Sequence, residues 1–180
     1  MARVPLPTRD EFPESHRDAY DRMVRERGDP TPHVFLALAN MPNLLDALLT
    51  FTREMRHGAV LDARYRELGI MMTAHVARSA YEFEHHWNHA VRAGVRREQL
   101  EALDHFETSP LFDVRERAVL RYAAEATSAI EVTDATWSGL TDAFTVREAM
   151  DLVMAVAWYN AVARINGPLR IANEPWFRRV

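Results

Sequence analysis

An all-helical fold is what this sequence predicts, and three observations carry the prediction. Apolar residues recur along most of the chain at the three- and four-residue spacing of a helix face. Strand-like alternation is nearly absent. Ser, Thr, Asp, Gly and Pro punctuate the repeats where helices would begin and end. The expected architecture is a single-domain helical bundle over residues 1–180.

The elements follow in order. Pro13 opens a segment with Ala19, Tyr20, Met23 and Val24 on one face, closed by Gly28 ahead of Asp29-Pro30-Thr31-Pro32. A short apolar helix is expected from Val34 to Ala39, broken at Met41-Pro42. Asn43 is the expected cap of the next, whose Leu44, Leu45, Leu48, Leu49 and Met55 repeat up to Gly58. Asp62 caps a helix carrying Tyr65, Leu68, Met71, Met72, His75 and Val76, and a second runs from Ser79 to about Ala93, stopped by Gly94. A short helix from Arg97 to His105 precedes the break at Thr108-Ser109-Pro110. Asp113 then opens a helix through Val119, Leu120 and Ala123, and Thr133-Asp134 open another. Thr145 opens a long apolar helix through Met150, Val153, Met154 and Trp158, ended near Ile165 by Gly167-Pro168. The tail from Asn173 to Val180 reads as extended.

Two stretches echo each other at an offset of about 50 residues, the signature of an internal duplication. Asp62 and Glu67 answer to Asp113 and Glu116, Trp87 to Trp137, and Val95-Arg96-Arg97-Glu98 to Val146-Arg147-Glu148. Shared helix-cap grammar would produce some of the same identities. A true duplication implies an approximate two-fold with chemistry in the first copy alone, since the second has no histidine.

Composition prunes the chemistry. The chain is 48% hydrophobic with a net charge of -4, without the basic excess of a nucleic-acid binder. All 22 basic residues are arginine, so lysine Schiff bases, a pyridoxal-phosphate lysine and a phosphate-loop lysine are excluded. Cysteine is absent, which removes disulfides, thiolate metal ligands and redox dithiols. Met1 to Asp10 lacks the apolar run of a signal peptide, and no apolar stretch approaches the ~20 residues that span a bilayer. A cytoplasmic protein without membrane contact is expected.

Glu82 and His86 lie four apart on one helix, so they share a face and can form an oriented acid-base pair. Ser79-Ala80-Tyr81-Glu82 also reads as a capping box, with Ser79 bonding the backbone at Glu82 and Glu82 reaching back. His85, His86 and His89 crowd the following turns. His85 and His89 have the spacing for one metal ion, and Glu82-x-x-His85 is half of a di-iron motif whose second half the chain lacks. His75 is the nearest further histidine. Glu67, on the preceding helix between Arg64 and Arg66, either meets the Glu82 to His86 turn across a helical hairpin or forms an exposed salt bridge.

These residues carry a resemblance. Arg64-x-x-Glu67-Leu68, the helix start at Ser79, Tyr81-Glu82-Phe83-Glu84-His85-His86 and Ala90-x-x-Ala93-Gly94-Val95 with an acidic helix after it resemble the carboxymuconolactone decarboxylase family, of the alkyl hydroperoxidase D-like superfamily. Trp158-Tyr159-Asn160-Ala161-Val162-Ala163-Arg164 looks like that family's last helix. The resemblance covers roughly residues 41–170, leaving an N-terminal helical extension over 1–40 and an extended tail over 171–180. It implies that Ser79 and Glu82 stand where redox members carry a Cys-x-x-Cys, with Glu67 and His86 matching the relay residues. Without sulfur, peroxide reduction through a disulfide is chemically impossible.

What the resemblance implies is a cofactor-free decarboxylase-like lyase acting on a small carboxylated lactone or related acid. His86, Glu82 and Glu67 would be catalytic, Arg78 and Arg164 would clamp substrate carboxylates, and Ser79 and Tyr81 would line the site. It also implies a homo-oligomer, whether dimer, trimer or hexamer. Two other readings stay open: a non-catalytic helical scaffold or small-ligand binder, and a metal-dependent enzyme using His85 and His89.

Overall fold

A computed structural model describes residues 1–180, and every element in it is helical. Nine α-helices follow in order: α1 (Arg17–Arg27), α2 (His33–Leu38), α3 (Pro42–His57), α4 (Ala63–Val76), α5 (Ala80–Arg92), α6 (Arg97–Glu101), α7 (Val114–Ala129), α8 (Asp134–Ala143) and α9 (Val146–Leu169). Single 3-10 turns lie at Glu14–His16 and Leu103–His105. No helix is long and apolar enough to cross a membrane. The residues group into two units, Met1–Gly58 with Ile165–Arg178, and Ala59–Arg164 with Arg179–Val180.

The first unit is built on α1 against α3. Tyr20 and Met23 of α1 and Leu45 and Leu49 of α3 are buried, with Phe12 set against the Tyr20 ring. Asn43 is not the cap of α3. Pro42 takes the first helical position, where its missing N–H costs nothing, so Asn43 lies inside the helix. Arg22 ties the two helices together, bonding Asp46 at 2.7 Å and the Thr50 hydroxyl at 3.0 Å. The tail closes on the same unit: the Glu174 carboxylate accepts from the His33 N–H at 2.6 Å, at the start of α2.

The second unit is organised around α4, which packs against α5 and α7. Every residue of α4 from Arg66 to Ala74 is buried, the pattern of a helix enclosed on all sides. Leu68, Met71 and Met72 meet Val119 and Leu120 of α7, Leu140 of α8 and Leu152 of α9 in one core. Each such side chain contributes about 1.5–3 kcal/mol on burial. Gly69 permits the closest approach, since a Cβ there would lie 2.6 Å from a Leu152 methyl.

Most of the helix starts follow from the residues expected to set them. Asp62 accepts from the Arg64 N–H, Asp113 from the Glu116 N–H, and Thr133 from the Thr136 N–H. Helix ends depend on left-handed residues. Gly94 takes φ 93 after α5, while Arg78 and Arg170 take φ 53 after α4 and α9. The last helix therefore runs beyond its expected stop at Ile165. Pro168 falls in its final turn, where a proline forfeits a single backbone bond, and termination passes to Arg170.

Candidate active site

Three expected residues converge. Glu67, in the middle of α4, and Glu82 and His86, one turn apart on α5, are 2%, 4% and 5% exposed. His86 Nδ1 lies 2.7 Å from Glu67 Oε2, and His86 Nε2 lies 3.7 Å from Glu82 Oε2. One imidazole thus stands between two carboxylates, one at each ring nitrogen. A carboxylate only accepts hydrogen bonds, so an ionised Glu67 places the ring hydrogen on Nδ1. Nε2, the ring's other nitrogen, then faces Glu82.

The hairpin of α4 and α5 produces this geometry. Glu67 lies deep enough along α4 to reach the His86 level of α5, as the crossing option required, and it is not an exposed salt-bridge residue. Ser79 occupies the N-cap position of α5, but its side chain makes no capping bond. The capping-box reading is therefore corrected: the Glu82 side chain is buried beside the imidazole one turn on. Two neighbours escaped the sequence reading. Tyr159 of α9 sets its ring edge-on to His86 at 4.4 Å, and an Arg66 guanidinium nitrogen lies 4.0 Å from Glu67 Oε1. Tyr159 carried a signal, standing in the segment that resembled the family's last helix. Arg66 carried none, because a charge inside a helix pattern reads as a solvated face.

The remaining histidines go elsewhere. Tyr81 is buried with its ring 4.4 Å from that of His85, His89 lies 5.2 Å from His86 ring to ring, and His75 Nε2 pairs with Asp104 at 2.8 Å. No three His, Asp or Glu side chains assemble into a group able to hold a metal ion. Nor does either proposed arginine clamp join the His86 cluster. Arg78 is exposed and lines a cavity of about 260 Å³ with Ser79, His75 and Phe83. Arg164 lines another, of about 320 Å³, and bonds the backbone and side-chain oxygens of Asn160.

Comparison with known proteins agrees with this frame. The profile of the carboxymuconolactone decarboxylase family matches residues 42–125, which hold Glu67, Glu82 and His86. The match is confined to this segment, somewhat under half of the 180 residues. No curated protein sequence matches it. Among solved structures, an uncharacterised peroxidase-related protein from Ralstonia eutropha JMP134, described as an alkylhydroperoxidase AhpD core, superposes with a TM-score of 0.82 at 20% identity, covering 97% of this chain and 93% of that one. A cysteine-to-alanine variant of the debrominase Bmp8, in complex with 2,3,4-tribromopyrrole, gives 0.80 at 18% identity over 97% and 95% of the two chains. A putative antioxidant defence protein AhpD from Agrobacterium tumefaciens gives 0.68 at 18% identity over 74% and 92%. At such identities the likeness shows the fold. This chain has no cysteine, so it carries no thiol for a cysteine-based peroxidase reaction.

Proposed function

We propose that the protein is a cofactor-free acid-base catalyst acting on a small, planar, conjugated acid of the carboxylated-lactone type. The observation that carries this reading is the buried His86 imidazole held between Glu67 and Glu82. In such a substrate the bond to the carboxylate carbon breaks, carbon dioxide leaves, and the electron pair flows through the alkene into the lactone carbonyl. The resulting dienolate takes a proton on carbon from Nε2 of the doubly protonated His86 ring, the imidazolium, whose Nδ1–H Glu67 holds and whose charge it offsets; solvent then returns a proton to Nε2. The substrate serves as its own electron sink. The match of residues 42–125 to the decarboxylase family supports the reaction class, and the bromopyrrole complex of the Bmp8 variant supports a small planar ring as a guest of this fold.

The test is a panel of carboxylated butenolides and related keto acids, with carbon dioxide release followed directly. We expect turnover of at least one member, with His86→Ala lowering kcat by about 10²–10⁴-fold. Release that His86→Ala leaves intact would overturn the reading. If no member turns over and His86→Ala only lowers the melting temperature, the buried network is structural. Its low exposure is the observation that favours such a scaffold.

Self-association belongs to the same reading. Val146, Met150 and Met154 repeat every four residues along α9, and the two methionines remain 44% and 42% exposed. A row of this kind is suited to burial against a second copy. Sedimentation should show an oligomer that the double change Met150→Glu, Met154→Glu dissociates.

A further inference from the structure

A second site lies in the other unit, wholly outside the residues matched by the family profile. An open cleft of about 650 Å³ is lined by α1, the turn after it, the start of α2 and the tail. That size falls within the range of about 300–1,000 Å³ typical of small-ligand pockets. Its walls include the Tyr20 ring, Leu36 and the Trp176 indole. Trp176 remains 44% exposed, so a large aromatic surface is left available to a guest.

Most of the polar groups around the cavity are already engaged. Arg9 grips Asp21 through two bonds, at 2.6 and 2.8 Å. The Thr31 hydroxyl donates to the Gly28 carbonyl at 2.7 Å, and the Tyr20 hydroxyl to the Pro7 carbonyl at 3.3 Å. Three groups remain. Arg25 donates no hydrogen bond and feels Asp21 only at a distance. Asp29 accepts none, although its charge reaches Tyr20. His33 engages only one nitrogen: Nδ1 lies 2.9 Å from the Ala172 carbonyl, which can only accept, so Nδ1 carries the hydrogen and Nε2 is an acceptor.

One forked donor, two acceptors and aromatic walls describe a guest. We propose that this cavity binds an aromatic monocarboxylate carrying a hydroxyl group, its carboxylate on Arg25, its ring against Trp176 and its hydroxyl toward Asp29 or His33 Nε2. A monoanion fits better than a phosphate dianion, because Asp21 and Asp29 offset the two guanidiniums and leave the cavity near neutral.

The full-length protein should be titrated with 4-hydroxybenzoate and 3-hydroxybenzoate by calorimetry and tryptophan fluorescence. Saturable one-to-one binding is expected below about 1 mM. Arg25→Gln should weaken it at least about tenfold, as should replacing the probe by 4-hydroxybenzyl alcohol, which lacks the carboxylate. Trp176→Phe should abolish the fluorescence change while calorimetric binding survives. His86→Ala should bind the probe as the unaltered protein does, whatever becomes of its turnover, so this site and the proposed catalytic site fail or stand separately. No saturable heat up to about 10 mM with either isomer overturns the proposal. So does affinity indifferent to Arg25→Gln, or binding lost in His86→Ala.

Discussion

Glu67 and Glu116 are each only 2% exposed, and they sit on α4 and α7, two helices packed against one another. Their partners differ in kind. Glu116 accepts from the Arg64 guanidinium, from Gln99 Nε2 at 2.9 Å and from the Asp113 N–H at 2.8 Å. Those donors are a guanidinium, an amide and a backbone N–H, none of them an imidazole. Glu67 instead faces an imidazole whose second nitrogen faces another carboxylate. The first arrangement fixes a helix start, and the second leaves a proton with more than one possible holder. Burial alone does not make a carboxylate chemical; the kind of partner it faces does.

The difference also bears on the echo between the two halves. Glu116 is the third residue of α7 and closes its capping box, whereas Glu67 is the fifth residue of α4 and faces the α5 hairpin. The two glutamates therefore occupy different turns of their helices, although Asp62 and Asp113 cap those helices alike.

The largest effect should come from Glu116→Ala. It strips Gln99, which is fully buried, and Arg64 of an acceptor at one stroke. Urea unfolding should show a loss of about 3 kcal/mol. A loss under about 1 kcal/mol would mean that the cluster around Glu116 is not the structural counterpart described above.

Glu67→Gln should behave in the opposite manner. The amide nearly conserves shape, so stability should change by no more than about 1 kcal/mol. Turnover should fall by about 10²-fold, with a displaced pH profile, because the group opposing Nδ1 would no longer carry a charge. An unchanged pH profile would erase the distinction between the two glutamates.

Much of this was legible in the sequence, and for identifiable reasons. Asp62, Asp113 and Thr133 announce helix starts because capping is local chemistry. Glu82 and His86 announce a shared face because four residues make about one turn. Tertiary contact was harder to read. Arg66 and Glu67 lie in a helix buried all round, and sequence alone left Glu67 between a contact across the hairpin and an exposed salt bridge. Charge and position point to Arg78 and Arg164 as carboxylate clamps, but neither property says where a side chain points. Arg78 in fact holds the left-handed position after α4, where the Ser79 N–H returns to the Ala74 carbonyl at 2.9 Å.

That role supplies a smaller effect. Arg78→Gly removes the steric cost of a left-handed L-residue and should leave stability unchanged or raise it by up to about 1 kcal/mol. If KM for a turned-over acid also rises, Arg78 binds substrate from its own cavity as well as ending α4. If stability falls instead, the left-handed position is not what governs the residue.

The smallest effect isolates burial by holding the motif constant. Glu148 reaches back to the Thr145 N–H at 2.8 Å while the Thr145 hydroxyl accepts from the Glu148 N–H, so α9 begins with the same reciprocal pair as α7 but with its glutamate partly in solvent. The Thr145 hydroxyl, donating at 2.7 Å, and then the Thr145 N–H hold the Glu148 carboxyl below the usual carboxylate range. A depressed carboxyl stabilises the fold above its unfolded value, about 4.3, and that contribution is lost as pH falls through the folded value. Glu148→Ala should therefore cost about 1 kcal/mol or less at pH 7, and the gap from the unaltered protein should narrow as the pH is taken below about 4. Should Glu148→Ala cost as much as Glu116→Ala in the same urea series, the capping motif, and not its burial, would account for the stability assigned to Glu116.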